Sequence, residues 1–272
     1  MLTLTDLLHK TTIDPREAEL LLAFVLKKDR PYVIAHAKDK VGSKVAKTFL
    51  SLVQRRKKHE PIAYLTGEQP FFGRDFLVNR HTLIPRPETE MLIGLVKQSA
   101  KGRSVIVDVG TGSGCIAVTL ALECPNARVV ASDVSSAALK VAKQNAKQLG
   151  ADVEFVKDNL LGKKLKSELN SKLDVVFVAN LPYLPSSDKK TMMPDVAKYE
   201  PSKALFAGRD GSTLVIKLLQ QIRMLNVQCS MFFEVDPRQT EKLAALAHQL
   251  FPNHKVSIKQ DLCGRERFLI IT

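Results

Sequence analysis

Apolar residues set the rhythm of the first sixty positions. Leu2, Leu4, Leu7 and Leu8, then Ala18, Leu21, Leu22 and Val25, then Val45, Phe49, Leu52 and Val53 recur at spacings of three and four, the period of one buried helix face. Pro15, Pro31 and Gly42 separate these runs, so residues 1–60 are expected to form a small helical domain. The pattern changes at Pro61. Residues 62–65 and 69–78 predict a short antiparallel hairpin turning near Gly73, and residues 61–83 are read as a β-hairpin linker. After Pro85 and Pro87 a helix is expected over residues 90–96, and then extended and helical patterns alternate. Strands are expected at 105–109, 128–132, 153–156, 173–179, 230–235, 255–258 and 267–271, with helices at 116–123, 137–149, 214–225 and 238–250. Such alternation predicts an α/β fold over residues 84–272, a seven-stranded, mostly parallel sheet with helices on both faces. The last two strands leave no room for a crossover helix, so one of them is expected to run antiparallel.

Composition narrows the class. The 272 residues are 45% hydrophobic and 25% charged, which excludes disordered, collagenous and fibrous chains. No apolar run approaches the roughly 18 residues of a membrane helix. Asp6, Asp14, Glu17 and Glu19 interrupt the amino-terminal region, so no secretory signal is expected. The four cysteines, Cys115, Cys124, Cys229 and Cys263, form no C-x-x-C pair, which favours a reducing cytoplasm and no structural metal. A mitochondrial matrix protein trimmed of its transit peptide would share this composition; the start at Met1, leading directly into the helical pattern, favours the cytoplasm. The net charge of +13 points to acidic partners, whether protein, nucleic acid or ribosome. It is spread over both halves of the chain. The compact run Arg55-Arg56-Lys57-Lys58 reads first as the solvated end of a helix and second as a phosphate site.

Chemistry concentrates after the expected strands. Gly110-Thr111-Gly112-Ser113-Gly114 joins a strand to a helix, where glycines permit close backbone approach and the helix end favours a nucleotide-like ligand. A dinucleotide fingerprint would need glycine where Cys115 stands, and no G-K-[ST] follows, so hydride chemistry and a triphosphate loop are disfavoured. Asp133 ends the second strand about 20 residues further on, placed either to accept both hydroxyls of a ribose or to cap the next helix. Asp158-Asn159 follows the third strand and reads equally as an adenine contact or a turn. The fourth strand delivers Asn180-Leu181-Pro182-Tyr183. An asparagine oxygen, a neighbouring backbone carbonyl and a flat aromatic face can grip a planar amide or amino group by its two N–H bonds. His81 is read as a surface loop residue.

Taken together, Gly110–Gly114, Asp133 and Asn180-Leu181-Pro182-Tyr183 resemble the methyltransferases that act on planar nitrogens and use S-adenosylmethionine. Phe72-Gly73-Arg74-Asp75-Phe76, Leu83-Ile84-Pro85-Arg86-Pro87-Glu88-Thr89-Glu90, Glu200-Pro201 and Asp261-Leu262-Cys263-Gly264-Arg265 resemble, more narrowly, the HemK/PrmC type of glutamine methyltransferase that modifies peptide chain release factors. The resemblance spans nearly the whole chain. It implies a Rossmann-like methyltransferase domain in which Gly110, Thr111, Gly112, Ser113, Gly114, Asp133, Asn159 and Asn180 contact S-adenosylmethionine, with S-adenosylhomocysteine as product. It further implies that Asn180, Leu181, Pro182 and Tyr183 hold the glutamine of a Gly-Gly-Gln loop, and that the leading helices dock the release factor. No metal is implied. The family carries proline where this chain has Leu181, which removes a fixed φ and adds an N–H. A ribosomal-protein glutamine methyltransferase, a nucleic-acid adenine methyltransferase and an inactive cofactor-binding scaffold are the alternatives, and the net charge leaves room for weak ribosome or nucleic-acid contact.

Overall fold

The computed structural model describes residues 2–100, 104–169, 174–225 and 227–272. The chain divides into two compact units: residues up to Glu68 together with Met193–Tyr199, and Gln69–Met192 together with Glu200–Thr272. The first unit holds helices Leu4–His9, Pro15–Leu26, Arg30–Ala35, Ser43–Lys57, Ile62–Thr66 and Pro194–Tyr199. The proline and glycine separators turn out to be helix starts. Pro15 is the first helical residue behind Asp14, whose carboxylate accepts the Arg16 and Glu17 N–H groups, and Asp29 does the same for Tyr32. Proline at this position loses no hydrogen bond, because the first N–H groups of a helix lack partners anyway. Leu7, Leu21, Leu22, Val33, Phe49 and Val53 bury together as the core of this unit.

Residues 62–65, read above as part of the hairpin, are helical instead. Leu65 joins the same core, and Gly67, at φ +81°, ends the helix. Four apolar residues in a row carry no period that separates helix from strand. The cationic run is also partly neutralised within the unit: Arg56 makes a two-pronged contact with Glu17, and Arg55 binds Glu60.

Next along the chain, β1 (Glu68–Phe71) and β2 (Arg74–Leu77) form a two-stranded sheet. Phe72 and Gly73 turn between them with φ of 49° and 73°, the positive values that a tight hairpin requires. The Phe72 N–H donates to Glu90 Oε1 at 2.8 Å, holding a non-glycine residue in the left-handed region. The main sheet comprises β3 (Val105–Val109), β4 (Arg128–Asp133), β5 (Glu154–Lys157), β6 (Val175–Ala179), β7 (Cys229–Glu234), β8 (Val256–Gln260) and β9 (Glu266–Ile271), in the order β5-β4-β3-β6-β7-β9-β8. Pairing is parallel from β5 through β7, while β9 runs antiparallel to both β7 and β8. The expected Rossmann-like, mostly parallel seven-stranded sheet is the observed one. The expected fourth strand began at Leu173, which lies outside the described residues.

Alternation along the strands feeds two cores, one on each face. Val105, Val107 and Val109 pack with Phe177, Leu218 and Leu243. Ile106 packs on the other face with Leu92, Val118 and Val176. Among the described residues no helix is long and apolar enough to cross a membrane.

Candidate functional site

From β3 the chain winds outward through β4 to β5, and then returns to place β6 on the other side of β3. The loops leaving β3 and β6 therefore diverge, and open α/β sheets take their ligands in the crevice this creates beyond the strands' carboxyl ends. A cavity of about 330 Å³ lies there, within the size range of small-molecule sites. It brings together residues from four loops: Gly110, Thr111, Gly112 and Ser113 after β3, Asp133 at the end of β4, Asn159 after β5, and Asn180, Leu181 and Pro182 after β6.

The glycine turn is shaped by its neighbours. The N–H groups of Gly110 and Thr111 both donate to the Ser132 carbonyl, at 2.8 and 2.9 Å. Gly110 has φ +81°, and a Cβ there would stand 2.7 Å from Leu181 Cδ2; glycine is what lets the Leu181 side chain lie over the turn. Gly112, at φ +58°, has nothing within 4 Å of a Cβ position, so its backbone is open to an incoming ligand. Asp133 braces the same turn, accepting the Gly112 N–H at 2.9 Å through Oδ2 and the Ser135 N–H at 2.7 Å through Oδ1. The helix cap itself is Ser135, whose Oγ accepts from Ala138. Burial raises the Asp133 pKa, and the Ser135 and Gly112 N–H groups oppose that rise. A carboxylate has about four acceptor positions, so Asp133 retains capacity for a ligand. Ser132 also lines the cavity, and its buried Oγ finds no hydrogen-bond partner among the described residues. An open glycine backbone, a carboxylate with spare acceptor capacity and an orphaned hydroxyl suit a ribose-bearing ligand.

Across the crevice, Asn180 Nδ2 donates to Thr89 Oγ1 at 3.0 Å. Its Oδ1 is thereby left as the acceptor for another group. Asp158 spends its carboxylate locally on the Asn159 and Leu165 N–H groups; both residues of the pair line the cavity, and Asp158 also makes the turn.

Two expected contact residues fall outside the lining. Gly114 has φ +83°, and a Cβ there would meet Ala142 Cβ at 3.0 Å; this glycine lets two helices approach. Tyr183 turns its hydroxyl to Glu234 Oε1 at 3.3 Å, and burial pushes its pKa up. Other residues were missed. Asp108 is fully buried in β3, takes the Thr111 hydroxyl at 2.6 Å, and is pushed by burial up to about 7. Glu234 is 1% exposed at the end of β7 and accepts the Thr89 hydroxyl. The signal was present in both cases: an acid inside an otherwise apolar strand. Arg86 lines the cavity and pairs with buried Glu200, which also accepts the Ile84 N–H.

A parallel sheet with a glycine turn and an asparagine loop meeting at its switch point defines a methyltransferase-type domain, and residues 106–199 match the Methyltransferase domain family. The fold is similar to that of a methyltransferase from Pyrococcus furiosus, 18% identical, with a TM-score of 0.51 over 80% of this chain and 96% of that one. Residues 3–67 match the PrmC N-terminal domain. The release factor glutamine methyltransferase of Bacillus cereus is 34% identical over 97% of this chain and 95% of its own length. That of Enterococcus faecalis is 41% identical over 77% of this chain and 75% of its own. The chain belongs to the release factor glutamine methyltransferase family.

Proposed function

We propose that this chain transfers a methyl group from S-adenosylmethionine to the side-chain amide nitrogen of the glutamine in a release factor's Gly-Gly-Gln loop. The observation that carries the reading is the orientation of Asn180: with Nδ2 bound to Thr89, Oδ1 is available to an amide N–H in the cavity. Gly110, Thr111, Gly112, Ser113, Asp133 and Asn159 would hold the cofactor, which supplies a methyl group activated on a sulfonium.

An amide nitrogen is a poor nucleophile because its lone pair is delocalised, so positioning dominates. Asn180 Oδ1 and the Leu181 carbonyl each accept one substrate N–H, which fixes the nitrogen and favours the positive charge that grows on it. The extra proton becomes acidic once the nitrogen is alkylated and leaves to solvent, so no general base has to act first. The positive net charge suits an acidic partner in the cytoplasm and steers its approach.

Incubation with isotope-labelled S-adenosylmethionine and a release factor, read by mass spectrometry of the peptide carrying Gly-Gly-Gln, tests the reading. One added methyl on that glutamine is expected. Label only on a ribosomal protein, only on nucleic acid, or nowhere would overturn it.

A further inference from the structure

Asparagine is nearly symmetric in shape, so a site that needs its oxygen must set the orientation chemically. Here three groups from distant parts of the chain form a directed chain of bonds: Asn180 Nδ2 donates to Thr89 Oγ1 at 3.0 Å, and Thr89 Oγ1 donates to Glu234 Oε2 at 2.7 Å. Thr89 lies in the 3-10 turn Pro87–Thr89, and Thr89 and Glu234 are 2% and 1% exposed. Arg267 stands 4.0 Å from Glu234 Oε1, and the Tyr183 hydroxyl donates to the same oxygen. This supplies the compensation that a buried carboxylate requires.

We infer that Thr89 and Glu234 are positioning residues for amide recognition, acting through Asn180. Burial raises the Glu234 pKa, and the Thr89 hydroxyl, Arg267 and the Tyr183 hydroxyl oppose that rise. In its ionised form the carboxylate accepts only, so the single Thr89 hydroxyl proton points to Glu234, and Thr89 presents a lone pair to Asn180. Asn180 must then turn its NH₂ inward and its oxygen to the cavity. The inference rests on the proposed activity, since an outward oxygen selects substrates that bring N–H groups. A site with Asn180 reversed would offer two donors to an amide nitrogen and repel it. A fully satisfied buried polar network of this kind specifies one arrangement.

A merely structural tie between the turn and the sheet makes different predictions. Thr89→Val keeps the shape and removes the hydroxyl; Thr89→Ser keeps the hydroxyl. Single-turnover methylation by Thr89→Val should be slower by at least about tenfold, less than the roughly 10²–10³ for losing a direct transition-state contact, because Thr89 acts through Asn180. The S-adenosylmethionine Kd should stay within about twofold, and Thr89→Ser should restore the rate to within about threefold. Glu234→Gln is expected to slow the reaction as well, because Arg267 draws the new carbonyl to its side and leaves the NH₂ facing Thr89, which reverses the chain. Parental rates in Thr89→Val or Glu234→Gln, or a Thr89→Ser rate as low as that of Thr89→Val, would overturn the inference. A second readout stands apart from activity. The Asn180 side-chain NH₂ signal, identified in ¹⁵N-asparagine spectra by its loss in Asn180→Asp, should exchange slowly in the parent and in Thr89→Ser and rapidly in Thr89→Val. Slow exchange in Thr89→Val overturns the inference. If the parent methylates no release factor, the functional reading fails, and this signal still decides the orientation of Asn180.

Discussion

Asp108→Asn is expected to flatten the pH dependence of stability across the slightly acid range. The carboxyl is wholly inside the β3 core; burial lifts its pKa from an ordinary 3.8 to about 7, helped by the nearby Asp133 and opposed by the Thr111 hydroxyl. Between those two values the folded chain holds a proton that the unfolded chain has released. The folded state therefore loses about 1.4 kcal/mol per pH unit as pH rises through that window, and the loss is complete above the folded pKa. From pH 5 to 7 this amounts to about 3 kcal/mol, an upper figure because the site can relax around the charge. Asparagine keeps the shape and still offers an oxygen to Thr111, and it carries no charge at any pH. Its stability advantage over the parent should thus grow from pH 5 to 7 and then level off. The chain has no tryptophan, so urea unfolding followed by circular dichroism at half-unit pH steps is the suitable assay. Parallel stability curves for parent and variant from pH 5 to 8 would refute the reasoning.

Asp133→Asn gives one of the two N–H groups it now accepts, from Gly112 or Ser135, an NH₂ in place of an oxygen. S-adenosylmethionine binding should weaken by about 1–3 kcal/mol, and unchanged calorimetric affinity would remove Asp133 from the site. Gly114→Ala forces a positive φ on alanine and presses its Cβ on Ala142, so stability should fall by about 1–3 kcal/mol with cofactor affinity retained; a thermal melt at the parental Tm would contradict this. Leu181→Pro removes a side chain that is 4% exposed and packed over Gly110. It should cost about 1–3 kcal/mol of stability, measured by urea unfolding, and an equal or more stable variant would show that the contact is dispensable.

Period and alternation carried most of the fold into the sequence. Val105, Val107 and Val109 face one core and Ile106 the other, and that two-residue rhythm is readable without coordinates. Residues 62–65 were misread because a short apolar run has no rhythm. The helix Lys163–Ser167 was missed for a related reason: it is a single turn, and Leu165 is its buried residue. The cavity loops were legible because glycine, aspartate and asparagine at strand ends carry chemistry by type and place. What sequence spacing could not supply was contact across the fold. Thr89 meets residues 91 and 145 positions away, and only the sheet order brings β7 beside the β6 loop. Gly114 and Tyr183 are further cases: the motif gave no sign that one would stand against Ala142 or that the other would turn its hydroxyl to Glu234.

The same contacts explain how the loop after β6 tolerates leucine where the family has proline. Proline would stiffen Leu181's position through its own ring. Here stiffness comes from outside the residue. The Leu181 side chain is buried in the core shared by β3 and β6 and rests on Gly110, and the residue before it is anchored through Thr89 to Glu234. On the side chain's other neighbour, Gly110 is fixed by its N–H to the Ser132 carbonyl. The backbone carbonyl at 181 is the same acceptor with either residue. The apolar contact of Leu181 on Gly110 thus supplies a restraint of its own, and it joins the loop that would hold the amide directly to the turn that would hold the cofactor.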